Sequence, residues 1–239
     1  MNNMIKRLLK KTFLYKVYRN SMSKKHIERA RVVNEAFKKE AVNVLKLYSD
    51  AMISNNIKFW IDYGTLLGYY REKDFIKHDF DLDTSAWFED HDRIKEVLEK
   101  NGFERVRYYY LKNRDGIEEC YKHRDYMTTI DVFYYFNEDD KSYCFSFQPM
   151  VSMTKKYHLN KIQQSKARKW VFDKITLMPA EFKGVKVYVP QNTGKYLEST
   201  YGENFMTPIP NLPLKGRPNM IEYSYEEMPA CTYMKVGYF

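Results

Sequence analysis

His78-Asp79-Phe80-Asp81-Leu82-Asp83 alternates acidic and apolar side chains after the histidine, and its reading decides how the chain folds. In an extended strand, residues at i, i+2 and i+4 project to one face, so Asp79, Asp81 and Asp83 would stand together. Three carboxylates on one face repel each other and cannot be core. Phe80, Leu82, Trp87 and Phe88 nevertheless mark the segment as part of a buried sheet. Two readings follow: a solvated acidic turn, or a site for a hard divalent cation that takes oxygen ligands and usually binds phosphate as well.

Working outward, the acidic strand is preceded by Asp62-Tyr63-Gly64-Thr65, which closes a short apolar run at 57–61, with Gly68 shortly after. Gly64 lets backbone approach a ligand closely or take a positive φ. Amides from Thr65 onward would open a helix, and helix N-termini bind phosphate. Arg71 lies where a guanidinium could pair with phosphate oxygens in a bidentate manner. Later, Ile130-Asp131-Val132-Phe133 sets one carboxylate in an apolar strand, where it needs a partner or a metal. Singly, each has a plain structural explanation: Gly64 a turn, Arg71 a surface helix residue or a partner of Asp79, Asp131 part of a buried hydrogen-bond network. Together, a glycine turn, paired aspartates and a third aspartate on a later strand resemble the constellation with which nucleotidyltransferase-fold enzymes hold Mg²⁺ and a nucleotide's phosphates.

The rest of the chain predicts mixed α/β (α+β) structure: a sheet core behind an N-terminal helical region. Residues 5–18 interleave apolar residues with lysines, as a basic amphipathic helix does, lying either on an anionic membrane or on its own domain. Ser23 can cap a long helix to about residue 54, with Ile27, Ala30, Val33, Phe37, Ala41, Val44, Leu45, Tyr48 and Met52 as its core stripe. A strand over 80–87, a helix over 90–101 stopped by Gly102, a hairpin over 103–123 and a strand over 128–136 follow. Short strands over 174–178 and 185–189 and a helix over 193–201 complete the pattern; 208–239 is proline-containing with little periodicity. The expected domains are a basic segment, 1–22, and a single catalytic domain, 23–239.

At 239 residues the chain can bury a sizeable core, and 44% hydrophobic with 17% aromatic residues excludes a disordered composition. The net charge is +9, but residues 1–25 hold eight basic and no acidic residues, so the body is close to neutral. That argues against a broad nucleic-acid surface. Three widely spaced cysteines make neither a disulfide framework nor a CxxC metal pattern, and point to a reducing compartment. No apolar run is long enough to span a membrane, and no signal-peptide core is present. His78, His123 and His158 lack zinc-site spacing. Lys122-His123-Arg124 and Lys166-Ala167-Arg168-Lys169 are solvated basic faces or attractors of anionic substrate.

The run from Phe59-Trp60-Ile61-Asp62-Tyr63-Gly64-Thr65-Leu66-Leu67-Gly68 through Arg71 and Asp74-Phe75-Ile76 to Asp79-Phe80-Asp81-Leu82-Asp83 resembles the signature of the LicD family. That family includes bacterial phosphocholine transferases and is related to fukutin and fukutin-related protein. Ile130-Asp131-Val132-Phe133, Phe182-Lys183-Gly184, Val189-Pro190, Tyr196-Leu197 and Tyr201-Gly202 extend the likeness, which covers 59–210. His78 and Phe80 depart from the residues usual there, and Tyr69-Tyr70 replaces smaller ones.

The resemblance implies transfer of a phospho-alcohol group, phosphocholine-like, from a CDP-alcohol donor to a hydroxyl of a glycan or lipid-linked glycan, such as a lipopolysaccharide, capsule or teichoic acid precursor, with release of CMP. It implies a Mg²⁺ (or Mn²⁺) site from Asp79, Asp81, Asp83 and Asp131, with Asp81, Asp83 and Asp131 catalytic and Gly64, Thr65 and Arg71 binding phosphate. The basic N-terminus would hold such an enzyme, cytoplasmic, on the anionic inner face of the membrane. Rival readings are an Asp-x-Asp glycosyltransferase, a nucleotidyltransferase releasing pyrophosphate, and a non-catalytic glycan- or membrane-binding module.

Overall fold

The computed structural model describes residues 13–112, 114–149, 163–209, 217 and 219–235. Helix α1 (Phe13–Ser54) runs without a break through Ser23, so no cap forms there. Of the expected amphipathic segment, residues 1–12 lie outside the described residues. The expected core stripe is only partly core. Phe37, Ala41, Val44, Leu45, Tyr48 and Met52 are buried, whereas Ile27 is 67% exposed, because the helix outruns the sheet it packs on.

The chain continues as β1 (Phe59–Ile61), α2 (Tyr63–Leu67), a π-helical turn (Gly68–Glu72), β2 (Asp81–Trp87), α3 (His91–Lys100), β3 (Phe103–Leu111), β4 (Arg114–His123) and β5 (Thr129–Glu138). Next come β6 (Lys141–Pro149), β7 (Gln163–Asp173), β8 (Leu177–Phe182), β9 (Val185–Pro190), α4 (Thr193–Tyr201), β10 (Met220–Glu222) and β11 (Ala230–Met234). Gly102 ends α3 at φ +85°, a conformation that glycine takes without a Cβ penalty.

Among the described residues, nine strands make one sheet and β8–β9 a separate hairpin. The centre is the parallel pair β2–β5, with β1 antiparallel on the outer edge of β2. From β5 the antiparallel ladder passes through β4, β3, β11, β7 and β6 and returns to β5, closing a barrel-like ring. Closure satisfies strand edges that would otherwise template aggregation. The main core includes the face that α1 and α3 cover, around Phe59, Tyr121 and Tyr134; a smaller cluster of Leu111, Ile117, Phe145, Ala167 and Ala230 fills part of the ring.

Strands β6, β7, β10 and β11 have no counterpart among the expected elements. The basic cluster at 166–169 belongs to β7, where Ala167 within it and Trp170 after it are 0% and 1% exposed and join different core clusters. The weakly patterned tail supplies β11, which fits between β3 and β7.

Candidate active site

The site is built at the start of β2 and β5. These strands run parallel with Asp81 opposite Thr129 and Asp83 opposite Asp131, so the register sets Asp131 beside Asp83. Asp81 and Asp83, two apart, share that face. Asp79 precedes the strand and is fixed by its backbone: Asn34 Nδ2 donates to its carbonyl at 2.6 Å.

The turn after β1 clasps this strand. The Asp62 amide donates to the Asp83 carbonyl at 3.0 Å. The Gly64 amide donates to Asp83 Oδ2 at 2.9 Å, and the Asp83 amide donates to Thr65 Oγ1 at 2.8 Å. Gly64 leaves room for two carboxylates: a Cβ there would stand 2.9 Å from Asp83 Oδ2 and 3.1 Å from Asp79 Oδ2 and would displace them. The groups expected to cradle phosphate therefore hold Asp83 in this structure. Arg71, also expected on phosphate, bonds the Glu72 carboxylate at 2.8 Å and the Phe205 carbonyl at 3.1 Å, while its charge only partly offsets the rise that burial gives the Asp79 pKa.

Asp62 anchors the turn from below. It caps α2 through the Tyr63 amide and accepts from Ser85, Tyr135 and Tyr196, all within 3.1 Å. These ties cross β1, β2, β5 and α4. They hold Tyr63 at φ +38°, a strained value for a residue with a side chain. Burial pushes the Asp62 carboxyl pKa up. Its apolar approach, residues 57–61, signalled a buried turn, but nothing in the sequence announced the two tyrosines.

Electrostatically the cluster is frustrated. Burial raises Asp79 to about 6. Burial and then Asp131 raise Asp81 to about 7, and burial and then Asp81 push Asp83 up further. Two residues absent from the sequence-based expectation complete it. Glu118 on β4 is raised to about 8 by burial and then by Asp131. Arg107 on β3 donates to Asp131 Oδ2 at 2.8 Å. The other oxygen, Asp131 Oδ1, is buried with no hydrogen-bond partner.

Among the described residues, no three carboxylate, imidazole or thiol groups stand converged as a ready-made metal cage. The donor chemistry still suits a hard cation: Asp81, Asp83 and Asp131 are all oxygen donors, mutually repelling, with one buried oxygen unsatisfied. His78 is exposed, and His123 is buried against Phe103 and Tyr126.

Residues 56–192 match the family described as "LicD/FKTN/FKRP, nucleotidyltransferase domain". Ribitol-5-phosphate transferase FKTN of Homo sapiens is 26% identical over 187 residues, covering 78% of this chain and 38% of that protein. An uncharacterised protein of Rickettsia prowazekii is 33% identical over 106 residues, covering 43% of this chain and 37% of its own length. The chain thus spans under two fifths of the length of these relatives. The lincosamide antibiotic adenylyltransferase LnuA, in its lincomycin-bound crystal structure, shares a TM-score of 0.37 and 15% identity over 66% of this chain and 83% of its own, a likeness that carries no argument. With more than half its residues matched, including every acid of the site, the chain belongs to the LicD/FKTN/FKRP family.

Proposed function

We propose that this chain is a metal-dependent phosphotransferase with a nucleotidyltransferase-like core. It would move a phospho-alcohol group from a CDP-alcohol to a hydroxyl of a glycan or lipid-linked glycan and release CMP. The observation that carries this reading is the Asp83–Asp131 pairing across parallel strands, with Asp81 alongside and the Gly64 amide clasping Asp83. The transferase named among the relatives supports the group transferred; the identity of the alcohol is left to experiment.

Asp81, Asp83 and Asp131 would hold Mg²⁺ or Mn²⁺, with Asp79 beside them. Once bound, such an ion neutralises phosphate oxygens and aligns attacker with leaving group. The protein's own groups do the remaining work. The turn over 62–65 fixes the Asp83 carboxylate and its strand. Asp131 Oδ1 is free to ligate or to accept the acceptor hydroxyl's proton. Arg71, 11% exposed, stands near Asp79 as a candidate contact for a donor phosphate.

We also place the chain at an anionic membrane surface. The basic residues of 1–25 support this, as do Ile27 and Val32, exposed on the overhanging part of α1. No described helix is long and apolar enough to cross a membrane. Sedimentation with phosphatidylglycerol vesicles, but not with phosphatidylcholine vesicles, is the expected result.

The deciding experiment incubates the protein with Mg²⁺ or Mn²⁺ and CDP-choline, CDP-ribitol, CDP-glycerol, CDP-ethanolamine, UDP-sugars or CTP, and identifies the nucleotide released. CMP from a CDP-alcohol, absent in Asp83→Asn, is expected. UDP from a UDP-sugar would make the chain a glycosyltransferase, and pyrophosphate from CTP a nucleotidyltransferase. No product and no metal binding would leave a non-catalytic module.

A further inference from the structure

Arg105 and Arg107 are two apart on β3, and a regular strand would send both to the same face. They go to opposite faces. Arg105 pairs with Tyr121 and Arg107 with Cys120, neighbours on β4, so the register shifts by one residue at Val106. This is a β-bulge, a device that re-aims side chains and is over-represented beside active sites. Arg105 bonds Glu119 on the face covered by α3, whereas Arg107 is turned to the acidic face and bonds Asp131. The cross-strand row is then Arg107, Cys120, Asp131, Asp83.

We propose that Arg107, delivered by this bulge, is the positioning residue of Asp131: it occupies Oδ2 and so leaves Oδ1 as the oxygen that works. The inference rests on the metal-dependent reading given above. The two Asp131 oxygens are unequal. Oδ2 accepts from the Arg107 guanidinium at 2.8 Å, while Oδ1 is buried and unpartnered, with the Cys120 thiol, a weak donor, beside the carboxyl group. A buried carboxylate oxygen without a partner is costly, and a planar guanidinium fixes the orientation that keeps it so. Ligating carboxylates are oriented by outer partners of this kind, whose loss costs roughly 10–100-fold in metal affinity or activity.

The test measures Mn²⁺ affinity, thermal midpoint and, with the CDP-alcohol that wild type cleaves, turnover for wild type, Arg107→Ala, Arg107→Lys and Asp131→Asn. Arg107→Ala should bind Mn²⁺ roughly 10–100-fold more weakly. Arg107→Lys, which keeps the charge but not the planar guanidinium, should remain weakened. Added methylguanidinium should restore part of the Mn²⁺ affinity of Arg107→Ala without moving its thermal midpoint, an effect that a merely structural arginine would not give. Should Arg107→Ala fail to fold, Arg107→Lys decides alone. A folded variant, Ala or Lys, with wild-type Mn²⁺ affinity overturns the inference, as does Ala with no recovery on methylguanidinium. Wild type that binds no Mn²⁺ overturns the metal-dependent reading and this inference with it, whereas failure confined to the variants overturns this inference alone.

Discussion

Glu118 and Glu119 are sequence neighbours on β4, both buried, and they face opposite sides of the sheet. Glu119 faces the helices. It accepts from Tyr121 and Tyr134 at 2.7 Å each, contacts His91 Nε2 at 3.3 Å and pairs with Arg105. Burial alone would raise its pKa, but His91, Arg105 and these bonds outweigh that and hold it below the usual carboxylate range. Glu118 faces the aspartates. Burial and the Asp131 charge push it to about 8, only partly countered by Arg107. One face has every charge answered, and the other carries a surplus of negative charge and an unsatisfied oxygen. A satisfied network serves the fold; an unsatisfied one is maintained where a ligand can complete it.

Four substitutions break or sharpen this contrast. Asp83→Asn removes a central acid of the frustrated face. CMP release should fall about ten-thousandfold, about 5 kcal/mol of transition-state stabilisation, in a steady-state assay. Its thermal midpoint should be no lower than that of wild type, because a repelled carboxyl is lost; a large drop would make Asp83 structural. Glu119→Ala on the satisfied face should do the reverse. It removes the carboxylate that Arg105 and two tyrosine hydroxyls share, and should cost about 4 kcal/mol in denaturant unfolding.

Gly64→Ala puts a methyl carbon 2.9 Å from Asp83 Oδ2 and displaces that carboxylate. Turnover should drop roughly a hundredfold, with the thermal midpoint little changed because the crowded atoms are side-chain oxygens. Glu118→Gln should have an effect that depends on pH. Its folded pKa, about 8, lies above the ordinary carboxyl value, so the stability this group contributes is full in acid and is lost as pH rises through about 8. The glutamine, which cannot ionise, keeps it. The stability difference, variant minus wild type, should therefore grow between pH 5 and 8 by on the order of 1 kcal/mol per unit, then level off, in metal-free melts. A flat difference would place Glu118 outside the electrostatic cluster.

Much of this was legible in the residues. Alternation at 79–83 placed β2 and its acids, Gly102 marked the end of α3, and the apolar run around Asp131 marked β5. Less legible were partners brought by distant strands. Gly64 and Thr65 read as phosphate ligands because amides opening a helix beside an acidic strand can bind one; their bonds to Asp83 depend on how β1 lies against β2. Arg107 did not stand out in the sequence because a bulge leaves no mark on period-two alternation. Strand β11 went unseen because its residues pair only with strands some 70 and 120 positions earlier in the chain, and local pattern does not encode such pairings.

By itself the sequence determined which residues are acidic, their spacing of two, and so the shared face of Asp81 and Asp83, because side-chain direction along a strand is fixed by covalent geometry. Only the tertiary structure decided that Asp131 stands beside Asp83, that Arg107 holds one of its oxygens, and that Glu118 and not Glu119 joins the acidic face. Those outcomes depend on parallel register, a bulge and closure of the ring, which many weak contacts set together and no single stretch of chain specifies.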